Sequence, residues 1–235
     1  MTTTDEAVIW MRPEATGRGR APGYTRAQIA RAAIVIADAE GLEAVTMRRV
    51  AKDIGAGPMS LYRYVRTKEE LHLLMANEVV GPLEEWIGPE NSDLATTLSQ
   101  LARTTRRQVL AHPWWAQIVA ASTLVGPKWI EIIEGATARL GGLSLEIDEM
   151  MEIPATVRTF ALGYAQNEAR RGRAGAETEM TQWGPYISTL IDSGNYPYLR
   201  RIIADARGPH EHDPDAHFER ALARLVTGLC APFGR

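Results

Sequence analysis

Apolar residues in the first eighty positions recur at helical spacing. Ile29, Ala33, Ile36 and Ala37 fall at i, i+4, i+7 and i+8, which is one face of a helix. Thr25 and Gln28 form a capping-box pair ahead of that face and Gly41 closes it, so the spacing predicts a first helix over 25–40. Thr46 caps a short second helix with Met47, Val50, Ala51 and Ile54 on one side, and Gly55 stops it. Pro58 suits a first turn and opens a third helix that ends near Arg66. Thr67 with Glu70 makes a second capping box, opening a longer helix through Leu71, Leu74, Met75 and Val79 that Gly81-Pro82 halts. Beyond residue 82 nothing alternates as a strand would. Helical segments are predicted at about 92–111, 113–125, 127–140, 145–171, 178–193, 197–207 and 214–230. Breaks fall at Pro113, Gly126-Pro127, Gly141-Gly142, Gly172 and Gly208-Pro209, while Pro154 and Pro185 predict kinks or boundaries inside two segments. Residues 1–24 show no periodicity and are expected to form a flexible basic leader with Arg18 and Arg20.

Charge sharpens this division. The 235-residue chain has a net charge of −3, yet residues 1–68 hold 11 basic and 7 acidic residues and the remainder holds 15 and 22. A basic head on an acidic body points to a polyanionic partner for the head alone. The switch near residue 68 suggests that the fourth helix joins the two parts. The one cysteine, Cys230, excludes a disulfide within the chain and suits a reducing compartment. The apolar run Val8 to Met11 is too short for a signal-peptide core, and no stretch approaches the ~20 apolar residues of a membrane span. A cytoplasmic protein is therefore expected.

The stretch from Met47 to Val65 meets the demands of a helix-turn-helix. Two short helices crossing steeply need a small residue where they touch (Ala51) and a residue able to take positive φ four positions later (Gly55). They need a shared apolar core, which Val50, Ile54, Ala56, Leu61 and Tyr64 or Val65 supply. The second helix must also keep a face free for the major groove, and its candidates are Pro58, Met59, Ser60, Tyr62 and Arg63.

The runs Thr46-Met-Arg-Arg-Val-Ala51, Gly55-Ala-Gly-Pro-Met-Ser-Leu-Tyr-Arg-Tyr-Val65 and Thr67-Lys-Glu-Glu-Leu71 resemble the DNA-binding domain of the tetracycline-repressor (TetR) family. The likeness covers about residues 25–75. It implies that Thr46 and Arg48 contact phosphates or a base edge, with Arg49 a further phosphate or guanine partner. It also implies that Ser60, Tyr62 and Lys68 bond phosphate oxygens. Met59 and Arg63 are then candidates for base readout, and Arg18 and Arg20 for reaching an adjacent groove.

The expected fold class is all-α, an N-terminal helix-turn-helix three-helix domain (25–70) joined to a larger helical ligand-binding and dimerisation domain (71–235). A single helix-turn-helix reads few base pairs, so pairing with a second copy is expected. The last segment offers a face of Phe218, Leu222, Leu225, Val226 and Leu229, and 145–171 offers Val157, Phe160, Ala161, Leu162 and Tyr164. An apolar effector pocket follows mainly from the resemblance. Its candidate walls are Trp114, Trp115, Trp129, Phe160, Tyr164, Trp183 and Tyr186, with Gln117, Arg158, Gln166, Asn167 and Glu168 as polar contacts. The histidine and acidic ligands by which founding members hold a metal–drug complex have no match.

His210-Glu211-His212-Asp213 gathers metal-ligand types at a spacing poor for a closed site, so no metal and no cofactor is expected. No serine elbow, phosphate loop or Cys/His pair suggests an enzyme. The expected function is a ligand-responsive DNA-binding regulator, a homodimeric repressor on a palindromic operator that a small apolar or aromatic effector releases. An activator or co-ligand-dependent repressor of the same fold remains open. So, more remotely, do a helical enzyme or carrier and a DNA-coating protein.

Overall fold

A computed structural model describes residues 8–14, 23–121, 126–143, 145–170, 176–205 and 213–233. Arg18, Arg20 and His210 to His212 lie outside the described residues. The described residues form helices and turns without a strand. In chain order the helices are α1 (Arg26–Glu40), α2 (Met47–Asp53), α3 (Pro58–Leu61), α4 (Lys68–Glu78), α5 (Leu83–Ile87) and α6 (Leu94–Ala111). Then come α7 (Trp115–Ala121), α8 (Pro127–Ala138), α9 (Ile147–Arg170), α10 (Ala176–Asp192), α11 (Pro197–Asp205) and α12 (Pro214–Cys230).

Local chemistry sets the head. Thr25 and Gln28 complete both halves of the capping box at α1, and Gly41 (φ 88°) ends that helix. The second capping box is only half made. Thr67 accepts the amide of Glu70, but the Glu70 carboxylate turns outward to the Arg66 amide (2.7 Å) and to Arg12 (2.5 Å). A charged partner outcompetes the local one. The third helix is a single turn rather than the predicted run to Arg66. The amides of Tyr64 and Val65 both bond the Leu61 carbonyl, and this tightening turns Val65 inward to full burial.

The sequence leaves Gly81 to Asn91 without structure. There α5 forms after Pro82 and ends at Gly88 (φ 74°). Its signal was present as Leu83, Trp86 and Ile87 at i, i+3 and i+4, and Trp86 and Ile87 are buried. Both internal prolines lie within continuous helices, Pro154 in α9 and Pro185 in α10, so neither marks a boundary.

Two apolar cores organise the chain. The larger runs without a break from α1 to α4 through Trp86, Trp115, Trp129 and Ile132. The smaller joins α6, α9 and α12 through Leu98, Ala102, Val157, Ala161, Phe218, Leu222 and Val226. Arg106 on α6 pins that second core. It donates to Glu168 on α9 (2.8 Å twice) and to Asp215 on α12 (2.6 Å), and it lies 4.8 Å from the Phe218 ring centre.

Residues 8–14 depart from the expectation of a flexible leader. Ile9 is buried, and a one-turn 3-10 helix spans Ile9–Met11. Arg26 donates to the carbonyls of Ile9 (3.0 Å) and Arg12 (2.9 Å) from Nη1, and to that of Tyr64 (3.3 Å) from Nε. The first residue of α1 thus ties this segment to the turn after α3. No helix among the described residues is long and apolar enough to cross a membrane.

Candidate functional site

The head presents one polar, outward face. Leu61 and Val65 are fully buried and fix α3 against Val50 and Ala51 of α2. Gly55 adopts φ 70° between the helices, and the Ala56 amide bonds the Ala51 carbonyl at 2.8 Å. Pro58, Met59, Ser60, Tyr62 and Arg63 are left exposed together, Met59 at 79%. Thr46 caps α2, accepting the Arg49 amide at 3.2 Å. Arg48 beside it is exposed, and neither its side chain nor that of Arg63 has a hydrogen bond or ion pair among the described residues. Arg49 is different. Its guanidinium holds both oxygens of Glu40 (2.7 and 3.1 Å) and reaches Asp53 (3.4 Å). The Glu40 bond raises the pKa of Arg49 and lowers that of Glu40. Arg49 is thereby committed to bracing α2 against α1. Lys68 stands in the first turn of α4, 3.9 Å from the exposed Glu43.

The head meets the body through a dense polar junction that the sequence does not disclose. Asp38 on α1 accepts from Trp114 Nε1 (2.6 Å) and His112 Nδ1 (2.8 Å) at the corner between α6 and α7. Trp115 Nε1 donates to the Ala76 carbonyl of α4 (3.3 Å). Lys128, at the start of α8, caps the same C-terminal end of α4, donating from Nζ to the Val80 carbonyl (2.9 Å), while its amide bonds Asn77 Oδ1 (3.1 Å). A Cβ added at Gly126 would stand 2.8 Å from the Trp10 ring, so the docked N-terminal segment borders the same junction.

Behind the junction lies an apolar cavity of about 90 Å³ between α6, α8 and α9. Its walls include Leu101, Trp129, Ile132, Met151, Pro154 and Arg158. On the other side of Arg158 a groove of about 400 Å³ runs between α7 and α9, past Val119, Leu162 and Gln166. The seven aromatic residues chosen from sequence do not converge on this space. Trp129 lines it. Trp115 lies behind it in a buried cluster with Trp86 and Trp129, at centroid separations of 5.6 to 6.4 Å. Trp114 belongs to the junction. Phe160 and Tyr164 pack on Phe218 in the second core. Trp183 and Tyr186 pair on α10 and stand more than half exposed. Of the polar candidates, Glu168 is taken by Arg106 and Asn167 by Arg170, while Arg158, Gln117 and Gln166 border open space. Leu101 and Met151 read in the sequence as ordinary helix interior, and Pro154 as a kink or boundary, so none of the three stood out as a cavity wall.

The helices chosen for pairing are placed otherwise than their apolar faces suggest. Val157, Phe218, Leu222 and Val226 are buried against α6 inside the chain, and Leu225 and Leu229 are partly covered. The faces of α9 and α12 that remain open carry small residues, with Thr156, Thr159 and Gly163 on one and Ala223, Thr227 and Gly228 on the other. On α10 and α11, Trp183, Tyr186, Tyr198, Ile202 and Ile203 are exposed. Among the described residues no group of three potential metal-ligating side chains comes together.

Comparison with known proteins agrees with this two-part arrangement. Residues 29–74 match the family of bacterial regulatory proteins described as tetR, and residues 88–232 match the tetracyclin repressor-like C-terminal domain. The chain is 32% identical to the HTH-type transcriptional repressor DrrR1 of Streptomyces coeruleorubidus, over 94% of this chain and 83% of that one. It is 29% identical to an HTH-type transcriptional regulator of Saccharopolyspora erythraea, over 99% and 97% of the two chains. The Streptomyces coelicolor TetR-family protein ActR, solved in complex with actinorhodin, superposes with a TM-score of 0.73 at 29% identity, covering 90% of this chain and 99% of that one. With its reading head and its helical body matched separately, the chain belongs to the TetR family of transcriptional regulators.

Proposed function

We propose that this protein is a homodimeric repressor that enters the major groove with α3 and leaves its operator when a small molecule occupies the cavity beside Trp129. The observation that carries this reading is the face of α3. Five neighbouring side chains on α3 and the turn after it are exposed beside two buried anchors. Met59 and Arg63 are placed to read base edges, and Arg is suited to bond guanine with two parallel donors. Ser60, Tyr62, Thr46, Arg48 and Lys68 surround them at positions suited to phosphate oxygens, where they set register. The three-helix head then corresponds to residues 25–70 and the effector and pairing body to the rest, working in the cytoplasm where the operator is.

Pairing uses what the chain leaves uncovered. The small residues on the open faces of α9 and α12 allow two helix pairs to approach closely, and the aromatic face of α10 and α11 gains a cover in the partner. Dimers with a closed two-fold axis are the commonest assembly, and they match an operator with two-fold symmetry. The ligand-bound relative supports the effector reading, since ActR takes actinorhodin within the same fold. A ligand against Trp129 would act on α4 through Trp115 and Lys128. It would shift the separation of the two heads only if it prefers the conformation that does not fit DNA.

Selection from randomised duplexes by the purified protein, with sequencing of the bound fraction, tests the proposal. Enrichment of one inverted-repeat site is expected, at a stoichiometry of two chains per duplex. Equal recovery of all sequences would refute it.

A further inference from the structure

Arg158 is a cation without a counter-ion among the described residues. It projects from α9 with its guanidinium carbon 5.4 Å from the centre of the Trp129 ring, and it borders both the cavity and the groove. It makes no hydrogen bond or ion pair with the described residues. The arginines on α6 differ, since Arg103, Arg106 and Arg107 each have a carboxylate within 3.2 Å. This fold thus supplies an acid to each of these three arginines. Around Arg158 it supplies none, as no Asp or Glu lines either space. Burial pushes the pKa of Arg158 down, but a guanidinium keeps its charge in proteins. A half-buried guanidinium without a counter-ion among the described residues can gain one from a ligand, and both spaces that it borders are open to such a molecule.

We propose that the effector is an organic acid, with a flat apolar body lying against Trp129 between α6, α8 and α9 and a carboxylate held by Arg158. The walls fit that division. Leu101, Ile132 and Met151 offer only apolar surface, and the cation over the indole face marks where the aromatic body ends and the charge begins. A guanidinium receives a carboxylate through two parallel N–H donors, which fixes the orientation of the bound molecule as well as its charge. The proposal rests on the reading of this cavity as the effector site, and the test separates the two.

The probes are benzoate and its neutral counterpart benzyl alcohol, single-ring molecules matched to the small cavity, titrated calorimetrically into the full-length protein. The natural chain is expected to bind the acid at least tenfold more tightly than the alcohol. In Arg158→Met the acid should lose about 10- to 100-fold in affinity while the alcohol is little changed, the size expected for a hydrogen bond to a charged group. Arg158→Lys should retain part of the preference, as a point charge without the fork. Retained binding of the selected operator by each variant shows that it is folded. Equal affinity for the two probes in the natural chain, or a preference that survives in Arg158→Met, would overturn the acid while leaving the cavity as the site. If neither probe binds, or if both bind Trp129→Leu as well as the natural chain, the effector-site reading fails and the proposal falls with it.

Discussion

Asp38 offers a quantitative test of how the head is fastened to the body. Its carboxylate accepts two hydrogen bonds, from Trp114 Nε1 at 2.6 Å and His112 Nδ1 at 2.8 Å. Asp38→Ala leaves these donors in unequal positions. Trp114 is 2% exposed, so its N–H is orphaned in the interior at a cost of about 1–3 kcal/mol. The His112 side chain is 24% exposed and can turn to water, which adds only a few tenths of a kcal/mol. A total near 2 kcal/mol follows, which for a chain of this length lowers the melting temperature by about 4–8 °C. Trp114→Phe removes the donor instead, and Asp38, about a third exposed, finds water. If the orphaned donor is the main penalty, the double variant should cost about 1 kcal/mol less than the two single variants summed. Thermal unfolding followed by circular dichroism measures all four proteins. One fixed chain concentration is needed, because the midpoint of an associating protein depends on it. Additivity within about 0.3 kcal/mol, or a loss below about 0.5 kcal/mol for Asp38→Ala, would refute the reasoning.

Arg48→Ala should weaken operator binding and reduce the slope of log affinity against log salt by about one, whereas Arg49→Ala should leave that slope unchanged because Glu40 and Asp53 already hold its charge. Fluorescence anisotropy across a salt series distinguishes them. Gly55→Ala forces a side chain to φ 70° although space is open around it, so urea denaturation should show a loss of about 1 kcal/mol arising from backbone strain alone. His72 is half-buried, its Nε2 is enclosed with no hydrogen-bond partner among the described residues, and desolvation, reinforced by Lys68, holds its pKa below the ordinary 6.5. The folded state therefore takes up its proton less readily than the unfolded chain. Stability is undiminished above about pH 6.5 and declines as pH falls from there towards the folded value. His72→Asn should flatten this part of the stability–pH profile, and an unchanged slope would remove His72 as its cause.

The reading head was legible because its constraints are local. Thr25, Gln28, Gly41, Thr46 and Gly55 each act within a few residues, through a cap or a φ value, and the structure places all five as their types dictate. The exposed set on α3 and the turn after it follows by subtraction once Leu61 and either Tyr64 or Val65 face inward. The failures in this region are those where a distant group intervened. Glu70 abandoned its local cap for Arg12, a residue 58 positions earlier that the sequence leaves in a featureless leader. The Glu40 partner of Arg49 is likewise hidden in the sequence, because Glu40 comes near it only after α1 and α2 have packed.

In the body a helical face carries no label for what covers it. Phe218, Leu222 and Val226 have the spacing of a surface awaiting a second copy, and the same spacing serves equally to bury them against α6 of their own chain. Which use prevails is decided by α6, whose Arg106 gathers Glu168 and Asp215 and brings α9 and α12 together over it. Aromatic residues are ambiguous for the same reason. Trp114, Trp115 and Trp129 fall within sixteen positions and are all buried, yet one fastens α1, one fastens α4 and one walls the cavity. Their indole rings tell them apart, because Trp114 and Trp115 each donate from Nε1 to the head while the Trp129 ring lies under the Arg158 guanidinium. Contacts of that kind link residues tens of positions apart, so they emerge only when the helices are assembled. A cavity wall standing directly behind the bonds that hold α4 is likewise a property of the assembled fold.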